Sequence, residues 1–260
     1  MVPPADRDLS GRVRAVLSRD RAWSVYALGD LGPEYFSRCS WFLTADDPGA
    51  LILLYRGPAP PVLFSIGAPL SVARLLNEVR EERAFYLHVK PEIVEVLAKA
   101  HRISGLKHMW RMTLDPANYR PVPCRQARRL GTPDLEALQQ LYADGKPAGE
   151  SPDFFFPEML DRGVFFGMEA GGELASVAGT HLAVPAEGVA AVGNIYTRRE
   201  CRGRGLASQA TSAVVEELRR LGISTIGLNV SQDNEQAIRV YEKLGFVKYC
   251  AFCEGLAERR

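Results

Sequence analysis

Apolar side chains recur along this chain with two periods, and the switches between them mark its elements. Leu206, Ala210, Ala213, Val214, Leu218 and Leu221 form a stripe at helical spacing, which Gly222 closes. Residues 189–196, 224–230 and 246–252 are apolar runs of strand length, and a helix over 234–244 ends at Gly245. Residues 164–169 and 174–182 flank Ala170-Gly171-Gly172, a hairpin turn. Upstream, a short strand lies near 124–130. Thr132-Pro133-Asp134 opens a helix through residue 142, with Thr132 as N-cap and Pro133 in the first turn. Ser151-Pro152-Asp153 opens another over 154–162.

The first half carries the same signals more faintly. Ser10 caps a helix over 11–17, and a second covers 21–31. Strands are expected at 40–44, 51–55 and 62–66, separated by Asp46-Asp47-Pro48-Gly49 and by Gly57-Pro58-Ala59-Pro60-Pro61. A helix over 70–79, a strand over 85–89, a helix opened by Pro91 over 91–100 and a strand over 107–114 follow. Residues 115–123 hold three prolines in nine positions, the best linker candidate. The division is therefore 1–120 and 121–260, which suits a chain of 260 residues.

Composition narrows the function classes. Thirty-two basic against 31 acidic residues leave a net charge of +1, so no global attraction to nucleic acid or membrane is expected. Five cysteines at scattered spacings suggest neither a disulfide framework nor a zinc site, and no metal is expected. Cys250 and Cys253, three apart on a strand, point to opposite faces, and Cys201 beside Arg202 is a candidate for oxidation. The polar start lacks a signal-peptide core, and no window approaches about 18 continuous apolar residues. A soluble cytoplasmic protein, monomer or homodimer, is the expectation.

The most informative unit is strand, loop, helix: Gly193 to Thr197, then Arg198 to Gly205, then the helix from Leu206. Glycines let a loop turn several backbone N–H groups to one side, and the helix adds its own free N–H groups and positive dipole end. Arg198, Arg199, Arg202 and Arg204 put four guanidinium groups beside that cradle, suited to phosphate oxygens. Competing readings are a solvated arginine-rich turn or a nucleic-acid patch, although no aromatic platform or wider basic run accompanies it. The Gly-Lys-Ser/Thr ending of a Walker loop is absent, and so is the full dinucleotide-binding G-x-G-x-x-G.

Here the sequence resembles the GNAT superfamily of N-acetyltransferases. Arg202, Gly205 and Ala207 match that family's Gln/Arg-x-x-Gly-x-Gly/Ala loop in register. The segment from Leu228 to Phe246, with Asn229, Asn234, Ala237, Tyr241 and Leu244-Gly245-Phe246, matches a second signature at the family's spacing. The resemblance covers about 125–255. It implies an α/β (α+β) fold of the acyl-CoA N-acyltransferase type, a mixed, mostly antiparallel sheet with flanking helices. It implies acetyl-CoA as cosubstrate, lying between two splayed parallel strands at 189–196 and 224–230. Ile195, Tyr196 and Thr197 would offer backbone groups to the pantetheine arm and acetyl carbonyl. Arg202, Gly203, Arg204, Gly205, Leu206, Ala207 and Ser208 would hold the pyrophosphate, and Asn229, Asn234 and Ala237 would line the arm.

The resemblance also implies a mechanism, in which a primary amine attacks the thioester directly. Tyr241 would sit near the sulfur and give the departing thiolate a proton as general acid. Read from the residues alone, it is a core tyrosine on the stripe Ala237, Ile238, Tyr241, Leu244, and the acid role comes only with the resemblance. Some family members place a Glu on the strand before the loop, but residues 189–193 hold no carboxylate. His181 on the preceding strand is the candidate base, against a hydrogen-bonded structural role. Glu150, Asp153 and Glu158 lie where the family forms its acceptor pocket, and water-relayed deprotonation stays open. Phe154, Phe155 and Phe156 either line that pocket or bury one side of a short helix.

Residues 64–71 are the first half's nearest analogue of the loop, without the arginines or the second glycine. The first half thus resembles the degenerate copy of tandem family members, such as the glycine N-acyltransferase-like proteins, and would wall the acceptor site or pack on the active domain. The leading function is acetyl transfer from acetyl-CoA to a small-molecule or peptide amine. A non-catalytic acyl-CoA sensor is the alternative, and O-acylation stays open. The acceptor itself is not legible.

Overall fold

The computed structural model describes residues 4–45, 49–79, 82–152 and 154–260. The chain divides into two compact units, Met1–Arg111 with Tyr249–Arg260, and Met112–Lys248. The first holds α1 (Pro4–Leu17), α2 (Val25–Gly29), α3 (Pro33–Phe36), β1 (Cys39–Leu43), β2 (Leu51–Tyr55), β3 (Val62–Ile66), α4 (Pro69–Leu76), β4 (Ala84–Val89), α5 (Pro91–Ala98) and most of β5 (His101–Leu114). The second holds β6 (Arg128–Arg129), α6 (Leu135–Gly145), α7 (Met159–Arg162), β7 (Phe166–Ala170), β8 (Glu173–Val184), β9 (Val189–Thr197), α8 (Leu206–Arg220), β10 (Thr225–Ser231) and α9 (Glu235–Leu244). Strand β11 (Phe246–Arg259) starts in the second unit and ends in the first.

In the first unit β1, β2 and β3 run antiparallel, and β4 joins β3 in parallel. Cys253 to Glu258 of β11 pair antiparallel with Val89 to Ala84 of β4. That pairing draws the last residues of the chain into the first unit, whereas the sequence suggests a clean division at 120. Ile52, Leu54, Leu63, Phe85 and Leu87 pack with Val72 and Leu75 of α4 and Ile93 and Leu97 of α5. Each such side chain contributes about 1.5–3 kcal/mol by leaving water.

In the second unit the strand order is β10-β9-β8-β7-β6. Only β9 and β10 are parallel there. The β7–β8 hairpin turns at Gly171 and Gly172, with φ of 63° and 83°, a left-handed pair that glycine adopts without strain. Leu138, Leu141 and Tyr142 of α6, with Leu160 of α7, close over Leu174, Val177 and Tyr196. Helix α8 packs on β7, β8 and β9 and shares no residue with that cluster. The expected mixed, mostly antiparallel sheet with flanking helices is what forms.

Several expectations need correction. The helix over 154–162 shrinks to Met159–Arg162, because Phe155 turns into the α6 cluster and Pro157 has no N–H to continue a ladder. The strand near 124–130 is two residues long, and residues 21–31 hold only the short α2. The proline-rich segment 115–123 is no free linker. Arg120 N donates to Leu244 O (3.2 Å), Val122 N donates to Ser212 Oγ (3.0 Å), and Arg219 lies over the Tyr119 ring (4.8 Å). Asp153 and the turn residues Asp46 to Pro48 lie outside the described residues. Among the described residues no helix is long and apolar enough to cross a membrane.

Candidate functional site

Strands β9 and β10 pair from Val189↔Thr225 to Val192↔Leu228 and no further. Beyond that point β9 runs on to Thr197 and β10 to Ser231, while β9 stays paired with β8 as far as Thr197↔Ser176. The edge of β9 from Gly193 onward is therefore left without a strand on the β10 side. A bulge sits at this point. Between Val177↔Tyr196 and Gly179↔Gly193, β9 carries one residue more than β8. Asn194, in the bulge, has φ 53°, the only positive value outside glycine among the described residues. Its carbonyl accepts a 2.8 Å hydrogen bond from the buried Tyr142 hydroxyl.

After β9 the chain makes one tight turn over Arg199–Cys201 and enters the glycine loop. Gly203 and Gly205 have φ of 75° and 78°. No atom would crowd a Cβ at Gly203, and at Gly205 the nearest is 4.0 Å away, so the loop faces open space. Gly205 is the N-cap of α8, and no side chain caps the helix. The first amides of a 15-residue helix and its positive dipole end thus stand beside a bare loop, an arrangement that favours an anion.

The arginines do not all face that opening. Arg202 Nη2 donates to Glu150 Oε2 (2.6 Å), its Nε to Thr197 O (3.1 Å), and the guanidinium lies 5.7 Å from the Tyr196 ring centre. Arg199 Nε donates to the same Glu150 oxygen (3.2 Å), and Arg198 pairs with Glu173 (3.1 Å). Arg202, and less so Arg199, hold the Glu150 carboxyl below the usual carboxylate range. The Tyr196 hydroxyl donates to Asp144 Oδ2 (2.7 Å), which also accepts from Arg199 N (3.3 Å), and both bonds keep Asp144 acidic. Three of the four guanidinium groups are engaged by carboxylates, and main chain lines the opening at Gly203 and Gly205. Glu150 likewise braces the loop.

On the facing strand, the Asn229 side-chain oxygen is buried and has no hydrogen-bond partner among the described residues. Asn234 Oδ1 accepts from Ala237 N (3.1 Å) and caps α9, so its oxygen is already used. Tyr241 is buried on α9, edge-on to Phe246 at 6.2 Å, and burial pushes its phenol above the usual range. No hydrogen bond to its hydroxyl is found among the described residues. His181 is the extra residue of a second irregularity, between Thr180↔Val192 and Leu182↔Ala191. A Cβ at Gly193 would lie 2.5 Å from its Nε2, so the ring covers β9 next to Asn194. Of the three phenylalanines, Phe155 packs on Tyr142 and Phe165, while Phe154 and Phe156 are 50% and 55% exposed. Among the described residues no cluster of three or more His, Cys, Asp or Glu could hold a metal ion.

The sequence carries little signal for Asn194, Tyr142 and Asp144. Asn194 had one available signal, since asparagine tolerates positive φ better than the apolar residues around it. Tyr142 and Asp144 act on partners 52 residues away and left no local signal.

A bare glycine loop at a helix start, reached along a strand whose parallel partner stops pairing at Leu228, fits a ligand with a diphosphate and an extended arm. Residues 135–246 match the model of the Acetyltransferase (GNAT) family, a segment that contains both the loop and α9. That segment of the chain is similar to GNAT acetyltransferase domains. It is 34% identical over 106 residues to a mycothiol acetyltransferase of Paenarthrobacter aurescens, covering 39% of this chain and 31% of that protein. It is 39% identical over 51 residues to N-alpha-acetyltransferase 30 of Schizosaccharomyces pombe, covering 20% and 34%. The match thus spans about a third of the length of these curated relatives. A GCN5-related N-acetyltransferase from Kribbella flavida has the same fold, with TM-score 0.60, 18% identity and coverage of 92% and 94%.

Proposed function

We propose that the protein transfers an acetyl group from acetyl-CoA to a primary amine. The observation that carries this reading is that β9 runs on past Val192↔Leu228 without β10 and leads, through one turn, into the open Gly203–Gly205 loop at the start of α8. Acetyl-CoA supplies the acetyl group as a thioester, a bond that a neutral amine attacks without an enzyme nucleophile. The main-chain amides from Arg202, Gly203, Arg204 and Gly205 to Leu206, Ala207 and Ser208 hold the diphosphate. Arg202, braced by Glu150 and Thr197, fixes the loop in that shape. Ile195, Tyr196 and Thr197 present main-chain groups to the arm, and the orphaned Asn229 oxygen accepts one of its amide N–H groups. The remaining side-chain N–H groups of Asn234, with Ala237, line the far side.

Tyr241 holds a proton at its hydroxyl for the departing thiolate. A phenol kept neutral by burial and free of competing acceptors suits that role. His181, over β9, is the side chain best placed to pass the amine's proton to water. The first unit reads as a degenerate copy. Its corresponding turn has Gly67 pressed against Ala50, where a Cβ would lie 2.6 Å from the alanine methyl, and Pro69 stands in the first turn of α4, so no amide cradle is left open.

The test panel holds small-molecule amines (glucosamine, L-cysteine, spermidine) and a tetrapeptide with a free N-terminus, so that both acceptor classes are sampled. The test is release of CoA thiol from acetyl-CoA with each amine. Turnover of at least one amine above the rate without enzyme is expected. Acetyl-CoA binding with no turnover would favour a sensor, and absence of binding would overturn both readings.

A further inference from the structure

We propose that the side-chain oxygen of Asn194 receives an N–H of the acceptor amine, resting on the reading of the gap as the acetyl-donor site. Asn194 is 4% exposed, and its Oδ1 has no hydrogen-bond partner among the described residues. A buried acceptor left unpaired is costly, so it marks a place that a donor fills. The amide orientation is fixed by its surroundings. Nδ2 lies 3.5 Å from Met159 Sδ, a weak acceptor, and the oxygen across the amide is the buried atom left without a partner. The backbone is fixed as well, at φ 53° with its carbonyl held by Tyr142. Strained backbone of this kind persists where surrounding contacts over-determine it, and it concentrates at working sites.

Position selects the ligand. Tyr142 and Met159 belong to α6 and α7, and Tyr142 packs in a cluster to which α8 contributes nothing. The diphosphate cradle belongs to α8. The side chain therefore lies on the α6–α7 side of β9, next to the edge of β9 that β10 leaves unpaired. An amide oxygen accepts without ionising. It receives an N–H of the amine, and of a neutral amine it directs the nitrogen lone pair away from itself. The site would thus position the amine nitrogen by geometry, leaving proton removal to water or His181.

The test uses Asn194→Gly and Asn194→Asp in the full chain, because both residues tolerate positive φ and leave the bulge intact. The probes are acetyl-CoA for equilibrium binding and the panel amine with the highest kcat/KM for kinetics. Asn194→Gly is expected to raise the amine KM about tenfold or more, with acetyl-CoA Kd within about twofold of wild type. Asn194→Asp is expected to shift the acid limb of the kcat/KM profile to lower pH, because a carboxylate there can take the amine's proton. A merely structural role moves neither the KM ratio nor the limb. Weaker acetyl-CoA binding with unchanged amine KM would assign the oxygen to the donor and overturn the proposal, as would no change in either. If wild type binds no acetyl-CoA, the donor-site reading itself fails, a result distinguishable from these.

Discussion

The Tyr142 hydroxyl donates a 2.8 Å hydrogen bond to the main-chain carbonyl of Asn194, 52 residues further along the chain. This bond ties α6 to the bulge of β9 at the point where β10 departs. Tyr142→Phe keeps the ring packed on Phe155 but leaves the carbonyl without its donor. A stability loss of about 1–3 kcal/mol is expected in urea unfolding, together with a higher amine KM. An unchanged midpoint would show that water replaces the phenol.

Asn229→Leu should move stability and binding in opposite directions. The Asn229 oxygen is buried without a partner, so an apolar side chain of similar size removes a desolvation cost. Urea unfolding should show stability equal to wild type or about 1 kcal/mol higher. Acetyl-CoA should bind several-fold more weakly, because an amide of its arm loses its acceptor. Weaker stability with unaltered binding would mean that the oxygen serves the protein alone.

Much of this site was legible in the sequence because its chemistry is local. The glycines at 203 and 205, the stripe of α8, and the Asn234 to Gly245 segment each carry their own signal within a few residues. The gap itself was legible only through the family resemblance, because nothing in Gly193 to Thr197 states where β10 stops pairing. The carboxylates that meet the arginine loop leave no local trace for the same reason: Glu150 and Asp144 lie about 50 residues from Arg199 and Arg202. In the fold, helix 154–162 was overextended because the apolar run Phe154 to Phe156 looks helical until Phe155 alone turns inward. The end of the chain was placed with the second half because strand pairing over more than 160 residues leaves no sequence trace.

Tyr241→Phe removes one hydroxyl and keeps the edge-on packing with Phe246. The expected result is a fall in kcat of about a hundredfold with acetyl-CoA Kd unchanged, since the proton is needed only as the thiolate departs. A comparable rise in Kd with kcat intact would make the phenol a binding group instead.

Asp30, at the end of α2, titrates abnormally. Burial raises its carboxyl to about 7 in the folded protein. In the unfolded chain it titrates near its ordinary value of about 4. Between these values the folded state keeps a proton that the unfolded state has lost. Stability from this group is therefore full below about pH 4, falls as pH rises toward 7, and is level above. Asp30→Asn should remove that slope, so its advantage in urea unfolding over wild type should grow from pH 5 to pH 8. A constant difference across that range would contradict the assignment.

The most direct measurement is calorimetric titration of the full chain with acetyl-CoA, beside the Gly205→Val variant. Gly205 sits at φ 78° over open space, so a β-branched residue both strains the turn and fills the cradle. One site per chain in wild type is predicted, with affinity at least tenfold weaker in the variant while its circular dichroism stays native. Undiminished binding by Gly205→Val, or no binding by wild type, would contradict the assignment of this loop to the acyl donor.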